Sequence, residues 1–458
     1  MKPVNKQTSN IIEKVLIANR GEIALRVLRT CKEMGIQTIA IHSDVDADSL
    51  HVRFADEAIC IGPAENSRSY LNVASILSAA EITDTDAIHP GYGFLAENPL
   101  FAEICETCNI IFIGPTPETI RLVGDKSKAR EVMKKAGIPI VPGSNQEVVN
   151  EKKALEIANE IGYPLIIKAV AGGGGRGMRV VHFEKELESY FKMAQSEAAA
   201  AFGSSKVYIE KYIENPRHIE FQILADKYGN VIHLGERECS IQRRHQKLLE
   251  ETPSIALSSS LRKEMGEAAL EVARIIKYRN AGTVEFLVDS KNRYYFIEVN
   301  ARIQVEHPVT EMITGIDVVK EQILLARGKK LQYQQKDIKV HGHSIEMRIN
   351  AEDPRTFTPC LGTLTSYNLP GGIGVRVDTS AYVGYKLLPY YDSLLAKLIV
   401  HAEDRKLAIA KAARGLDEFI IEGIKTTIPF HKLVVSHPEF KKGEYSTSFV
   451  DQVLFKES

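Results

Sequence analysis

Hydrophobic periodicity changes twice within the first 45 residues. Residues 14–18 form a short apolar run. Residues 22–34 carry apolar side chains at helical spacing, Ile23, Val27 and Leu28 among them, until Gly35 interrupts. Residues 38–42 are apolar again. Strand, helix and strand at this spacing predict a βαβ unit with parallel pairing. Residues 87–89 and 110–113 predict later strands, so the chain to about residue 124 reads as a doubly wound α/β domain. Its first turn, Asn19-Arg20-Gly21-Glu22, lacks the G-x-G-x-x-G of a dinucleotide site. From residue 125 the pattern changes. Helical periods cover 126–136 and 152–161, separated by the loop-like GIPIVPGS. Strands are predicted over 164–168 and 179–182. Antiparallel patterns dominate 207–299, and a mixed region follows from about 336.

The segment 283–300 predicts a hairpin whose strands, 283–289 and 294–300, are joined by residues 290–293. In that register Val284, Phe286 and Val288 oppose Val299, Ile297 and Tyr295 on one apolar face. Glu285 then opposes Glu298 on the other. Two opposed carboxylates repel, and a divalent cation turns the repulsion into binding. Mg²⁺ takes oxygen ligands, often one or two carboxylates beside substrate phosphates. Asn300, two residues beyond Glu298, extends the oxygen set. Arg302, Gln304 and Glu306 continue the even-numbered parity, so an extended run aims all of them one way. Arg302 offers a planar fork for an anion such as bicarbonate, and Glu306 a base beside it.

Between the strands at 164–168 and 179–182 lie four consecutive glycines, Gly172 to Gly175. They cost conformational entropy and suit a flap whose N–H groups approach phosphate. No G-K-[ST] closes the run, so it is not a Walker loop. Lys168 just before it is placed to meet a phosphate as a point charge. In Gln242-Arg243-Arg244-His245-Gln246-Lys247, His245 and Lys247 share parity and are expected to face one cleft. His218, in Asn215-Pro216-Arg217-His218, is a weaker candidate. Cys105 and Cys108 form a C-x-x-C within a helical pattern, without the second pair that a zinc site needs.

Composition narrows the class. The chain has 458 residues, 44% hydrophobic and 26% charged, which suits two to four globular domains. Its 58 basic and 59 acidic residues nearly cancel, so nothing calls for nucleic acid as a partner. No run of 18 apolar residues and no signal peptide appear, which predicts a soluble, cytoplasmic protein with no membrane contact. Six scattered cysteines argue against a disulfide framework.

The segments IANRGEIALRVLR, AIHPGYGFLAEN, PLIIKAVAGGGGRGMRVV, EKYIENPRHIEFQ, CSIQRRHQK, YYFIEVNARIQVEHPVTEM, EMRINAEDP and PYYDSLLAKL resemble the biotin carboxylases over nearly the whole chain. The glycine run and FIEVNAR alone indicate only an ATP-grasp enzyme; RRHQK and RIQVEHPVTEM narrow it. The resemblance implies an N-terminal α/β domain (1–124), a central ATP-grasp domain (125–335) with a lid at about 141–213, and a C-terminal mixed α+β domain (336–458). It implies an ATP site of Lys126, Lys168, Gly174, Gly175, Glu210, Lys211, Tyr212, Ile213, His218, Gln242 and His245. It implies Mg²⁺ (or Mn²⁺) on Glu285, Glu298 and Asn300, and bicarbonate on Lys247, Arg302, Gln304 and Val305. Glu306 matches the base, Arg348 the group facing the biotin ureido oxygen, and Tyr92 a tyrosine lining the cleft.

The activity implied is that of a ligase: MgATP and bicarbonate carboxylate biotin, carried on a biotin carboxyl carrier protein, by way of carboxyphosphate. No A-M-K-M-like turn marks a biotinylated lysine, and no length is left for a carboxyltransferase domain. Carrier and transferase are therefore expected on other chains, and the transferase selects the acceptor: acetyl-CoA, pyruvate or another. A homodimer is implied through the region of Arg29, Glu33 and Arg376, although Ile373 stands where some relatives carry an aromatic, and the tail at 1–12 is longer than this type needs. Two rival readings are a carbamoyl-phosphate synthetase-like ligase, separated by biotin dependence of ATP turnover, and a nucleotide-binding regulatory subunit without turnover.

Overall fold

The computed structural model describes residues 11–144, 147–169, 178–202 and 204–455. Gly174 and Gly175, with the rest of the glycine run, lie outside the described residues, as does the tail at 1–10. Five parallel strands, β1 Lys14–Ile17, β2 Gln37–Ser43, β3 Glu57–Gly62, β4 Ala87–His89 and β5 Ile111–Phe112, lie in the order β3-β2-β1-β4-β5. The helix Gly21–Glu33 joins β1 to β2 and buries Ile23, Val27 and Leu28, as its periodicity requires. Strand order reverses at β1, so a crevice opens between the loops that follow β1 and β4. Asn19 ties those loops together: its Nδ2 donates to the carbonyls of Pro90 and Tyr92, 2.7 Å each.

Strands β6 Leu165–Ala169, β7 Met178–Val181 and β8 Val207–Lys211 form a small antiparallel sheet, β7-β6-β8. The helix Glu184–Phe202, which the sequence reading left out, packs Leu187, Phe191, Ala194 and Ala198 into this sheet's core. An eight-stranded antiparallel sheet takes in β9 Arg217–Ala225, β10 Val231–Arg243, β11 Gln246–Thr252, β12 Asn280–Val288, β13 Tyr294–Asn300 and β14 His343–Asn350. After two short pairs, β15 Gly362–Thr363 with β18 Lys386–Leu387 and β16 Ser366–Asn368 with β20 Ile420–Glu422, it is completed by β17 Val375–Thr379 and β19 Leu394–Ala402. The order is β13-β12-β9-β10-β11-β14-β19-β17. One sheet thus takes strands from both sides of residue 335. A second missed helix, Ser259–Ile275, buries Leu261, Met265, Ala269 and Val272.

Three details depart from the sequence reading. First, the β12–β13 hairpin pairs Val284 with Val299 and Glu285 with Glu298 as expected, but a bulge follows. Phe286 then faces Phe296, Leu287 faces Tyr295 and Val288 faces Tyr294, not the partners of an unbroken register. The extra residue lets Phe296 enter the core, edge-on to Phe286, and turns Ile297 to the cleft wall. Second, β13 ends at Asn300. The chain bends through 301–306, and the helix His307–Thr314 starts with Glu306 as its N-cap and Pro308 in its first turn. Arg302, Gln304 and Glu306 therefore do not share an extended face; a loop gathers them. Third, Arg244 and His245 form the β10–β11 turn with φ of 49° and 65°. His245 is exposed at that turn rather than alternating with Lys247 along a strand.

Candidate active site

A cleft of about 1760 Å³ opens between the loops of the first sheet, the small sheet and the large one. A pocket of 300–1,000 Å³ holds one drug-sized ligand, so this cleft has room for a nucleotide and a second substrate. Every described residue that the sequence reading placed in the site lines it, from Tyr92 at one wall to Arg348 at another.

Its floor is a row of acids. Glu285 on β12 faces Glu298 on β13 and Glu220 on β9. Three carboxylates side by side on adjacent strands are unfavourable unless cations lie over them. Lys247, from β11, supplies one. Its Nζ touches Glu220 and lies 2.9 Å from Glu285, 2.7 Å from Glu306 and 3.2 Å from Gln304 Oε1. Arg237 supplies another, fully buried, with Nε 2.5 Å from Glu220 and the rest of its fork on Gln222, Thr283 and Thr310. His218 Nε2 lies 2.8 Å from Glu285.

Burial opposes each of these charges; it raises Glu220 in spite of Lys247 and Arg237, while for Glu285, Lys247, Glu306 and His218 the partners outweigh it. The Glu285 carboxyl is held well below the usual range by Lys247 and His218. Lys247 is held well above its usual value by Glu220, Glu285 and Glu306. Glu306, buried by its place at the helix start, is held low by Lys247, Arg348 and Arg237. His218 is raised by Glu285. Glu220, Glu285 and Glu306 each lean on Lys247 and one other cation, so removing Lys247 strips a partner from three desolvated carboxylates at once, a costly loss for buried ion pairs.

Toward the small sheet, Glu298 pairs with Lys126 at 2.6 Å. Buried Glu210 pairs with Lys168 at 2.7 Å and with Arg130. Lys211 Nζ donates to the Tyr163 carbonyl at 2.8 Å. Tyr212, Ile213, Gln242 and His245 complete this wall, with apolar Ile166, Met178, Leu287 and Ile297 between them. A flat apolar slot beside Lys126, Lys168 and His245 suits a base and its phosphates.

At the other end, Arg302 Nε donates to Glu97 Oε2 at 2.8 Å, and Glu97 Oε1 accepts from the Ala301 N–H at 2.9 Å. Arg348 bridges Glu306 at 2.9 Å and Glu250 at 2.5 Å. Lys397, fully buried on β19, donates to the Val305 carbonyl at 3.0 Å and pairs with Glu22 at 3.2 Å. Tyr92 donates to the other oxygen of Glu22.

Glu285, Glu298 and Asn300 fit Mg²⁺ by donor chemistry: two carboxylates and an amide oxygen. Asn300 Nδ2 donates to Glu285 Oε1 at 2.8 Å, which turns its Oδ1 outward to accept from Arg302 at 3.1 Å. Glu220, Cys239 and Glu306 also cluster closely, but burial holds the Cys239 thiol neutral, which leaves that set without a thiolate ligand. Cys105 is buried in the helix Pro99–Thr107, while Cys108 caps it and is exposed.

Sequence reading missed Glu97, Arg130, Glu220, Arg237, Glu250 and Lys397. Glu220 was legible: it lies two residues from His218 in HIEF, hence on the same strand face. Glu97 and Lys397 were not, because their partners are more than 90 residues away.

Comparison with known proteins accounts for the same geometry. Residues 11–120 match the family described as biotin carboxylase, N-terminal domain; 125–334 match carbamoyl-phosphate synthase L chain, ATP binding domain; and 346–452 match biotin carboxylase C-terminal domain. A biotin carboxylase of Nostoc sp. is 59% identical over 96% of this chain and 99% of that protein. The crystal structure of a biotin carboxylase–β,γ-ATP complex from Campylobacter jejuni superposes with a TM-score of 0.94 at 52% identity, covering 97% of this chain and 99% of that one. The biotin carboxylase domain dimer of the Hydrogenobacter thermophilus 2-oxoglutarate carboxylase, with MgADP, ADP and bicarbonate, superposes at 0.92 and 51% identity, with the same coverage of both chains. This chain therefore belongs to the biotin carboxylases, the ATP-dependent ligases that carboxylate biotin.

Proposed function

We propose that the cleft activates bicarbonate with ATP at its lid end and passes the carboxyl group to biotin at its Arg348 end. The observation that carries this is one contiguous run of contacts. Glu285, Lys247, Glu306 and Arg348 touch in sequence, so the nucleotide end and the biotin end share a single charge network.

Lys126, Lys168 and His245 contact the phosphates, and Tyr212, Ile213, Gln242 and His218 border the nucleoside. Gly174 and Gly175, outside the described residues, belong to the ATP site on the family resemblance alone. Glu285, Glu298 and Asn300 would hold Mg²⁺, which would neutralise phosphate charge. Bicarbonate lies on Arg302, Lys247, Gln304 and the Val305 backbone, aligned with the γ-phosphorus. Glu306 is kept ionised by Lys247 and Arg348. As Lys247 turns to the anion, Glu306 regains basicity and takes the bicarbonate proton. The bicarbonate oxygen attacks the γ-phosphorus, ADP leaves, and carboxyphosphate splits to CO₂ and phosphate. Phosphate accepts the biotin N1 proton, and the nitrogen attacks CO₂ while Arg348 and Tyr92 hold the ureido group.

The test is bicarbonate-dependent ATP cleavage measured with and without free biotin. E306Q is expected to abolish ATP cleavage. R348A is expected to retain a large part of it and to lose biotin carboxylation. Equal losses in both assays refute the assignment.

On this reading the chain divides at about residues 124 and 335, with 141–213 as the lid. It works in the cytoplasm, where MgATP is available, as a homodimer through the region of Arg29, Glu33 and Arg376. A biotin carboxyl carrier protein and a carboxyltransferase are its partners. The biotin carboxylase domain dimer of a 2-oxoglutarate carboxylase supports the homodimer; the acceptor is left to the transferase.

A further inference from the structure

Resting on the reading that Arg348 faces biotin, we propose that Glu250 and Glu346 form a buried carboxyl pair that shares a proton and positions the Arg348 guanidinium.

The two residues are register partners on β11 and β14, and both are fully buried. Among the described residues, no oxygen of either carboxyl has an aligned hydrogen-bond donor. Arg348 Nη2 approaches Glu250 Oε1 to 2.5 Å, yet off the N–H direction, so the contact is an ion pair rather than a satisfied hydrogen bond. Two adjacent carboxylates in a water-excluded site cannot both keep their charge. One proton between them leaves a single negative charge directly behind the guanidinium.

The surroundings hold this arrangement in place. On β14 the odd-numbered Ile345, Met347 and Ile349 enter a core with the helix Arg405–Glu418. Glu346 and Arg348 face the other way. The charged groups on that side are Lys247 from β11, Arg348 from β14, Lys397 from β19 and Glu306 at the start of the helix His307–Thr314. Glu22 and Asp378 pair with Lys397 beyond them. His307 on that helix is held neutral by burial and by Lys397, and Cys239 on β10 is held neutral by burial. Burial pushes Glu250 up to about 7 against the pull of Arg348, with Glu306 adding to the rise. Burial likewise raises Glu346 well above the usual range despite Lys397, with Glu250 adding to it.

The sign follows. Below about pH 7 Glu250 is protonated and its grip on Arg348 loosens. Above it, Glu250 is ionised and the guanidinium is fixed between Glu250 and Glu306. Glu250 touches no substrate; it is a positioning residue.

The experiment measures the KM for biotin and the kcat of bicarbonate-dependent ATP cleavage from about pH 6 to about pH 8.5. In the parent the biotin KM falls as pH rises through neutrality. E250Q is expected to raise the biotin KM about tenfold, well within what a misplaced group costs, to flatten its pH dependence, and to affect ATP cleavage far less. E346Q is expected to shift the inflection to higher pH, because an amide at 346 donates to Glu250 less strongly than the protonated carboxyl it replaces. E250D keeps the charge and is expected to recover part of the pH dependence. Parent-like KM and inflection in E250Q overturn the proposal, as do equal losses in both assays. R348A separates the two levels. A biotin KM unchanged in R348A removes the reading of Arg348 itself. A raised KM in R348A beside a normal one in E250Q removes only the carboxyl pair.

Discussion

At the scale of single residues, charge burial dominates this molecule, and Glu251 shows its consequence for stability. It is fully buried on β11. His343 Nε2 lies 2.7 Å away, Arg405 binds it through Nε at 2.7 Å and Nη2 at 3.0 Å, and the Tyr445 hydroxyl donates to it. Burial raises its carboxyl, but these partners bring it down to about 2. A folded value below the unfolded one stabilises above the unfolded value, about 4.5, and that stabilisation is lost as pH falls toward 2. The shift corresponds to about 3 kcal/mol. Urea unfolding of the parent and of E251Q between pH 5 and pH 2 should show their difference in unfolding free energy shrink by about that amount. A constant difference contradicts the assignment. Nothing in LLEETPS announces this. Both glutamates read as ordinary strand residues until β14 and the helix Arg405–Glu418 pack over them. The catalytic candidates were more legible because their local spacing is unusual: Glu285 opposite Glu298 needs no distant partner to look costly.

At the scale of elements, the small sheet depends on a close backbone approach. Gly143 bridges to Glu210, Ser144 N–H donates to the Ile209 carbonyl at 2.7 Å, and Lys211 N–H donates to the Pro142 carbonyl at 2.7 Å. The segment thus extends β8, which carries Glu210 and Lys211. A Cβ on Gly143 meets the Ile209 carbonyl oxygen at 2.4 Å and Glu210 Cα at 2.9 Å, backbone that cannot rotate away. G143A should therefore destabilise by about 1–3 kcal/mol and raise the KM for ATP about fivefold or more. G371A, whose Cβ meets nothing within 4 Å, is the control expected to change neither. Thermal unfolding and ATP kinetics decide; an unshifted ATP KM in G143A removes the link between this contact and the nucleotide. Element existence was readable where one face is buried, as in Gly21–Glu33 and Lys126–Lys135. The β12–β13 bulge was not, because the choice between Phe296 and Ile297 for the core depends on Phe286 and Phe221 packed beneath.

At the scale of the whole molecule, no helix among the described residues is long and apolar enough to cross a membrane, and the outer surfaces must serve the proposed assembly. Arg29 and Glu33 stand exposed one turn apart on the helix Gly21–Glu33, beside a shallow groove with Leu25, Leu28 and Phe54. Arg376 spends its fork on Asp378 and Glu311, so it offers a partner less than its sequence position suggests. Tagged chain recovered from extracts of its own cells should bring down a biotinylated protein and sediment as a dimer, with E33K shifting it toward monomer. Recovery without biotinylated protein, or a monomer in the parent, counts against the assembly. The sequence alone determined the family, the α/β and antiparallel segments and a set of residues that the fold does bring to the cleft wall, because those signals are local: periodicity, a glycine run, two carboxylates thirteen residues apart. Only the tertiary structure decided which charges neutralise which. Glu97 on Arg302, Glu220 under Lys247, Lys397 behind Val305 and Glu250 behind Arg348 meet across long stretches of chain, and such pairing leaves no periodic trace along the sequence.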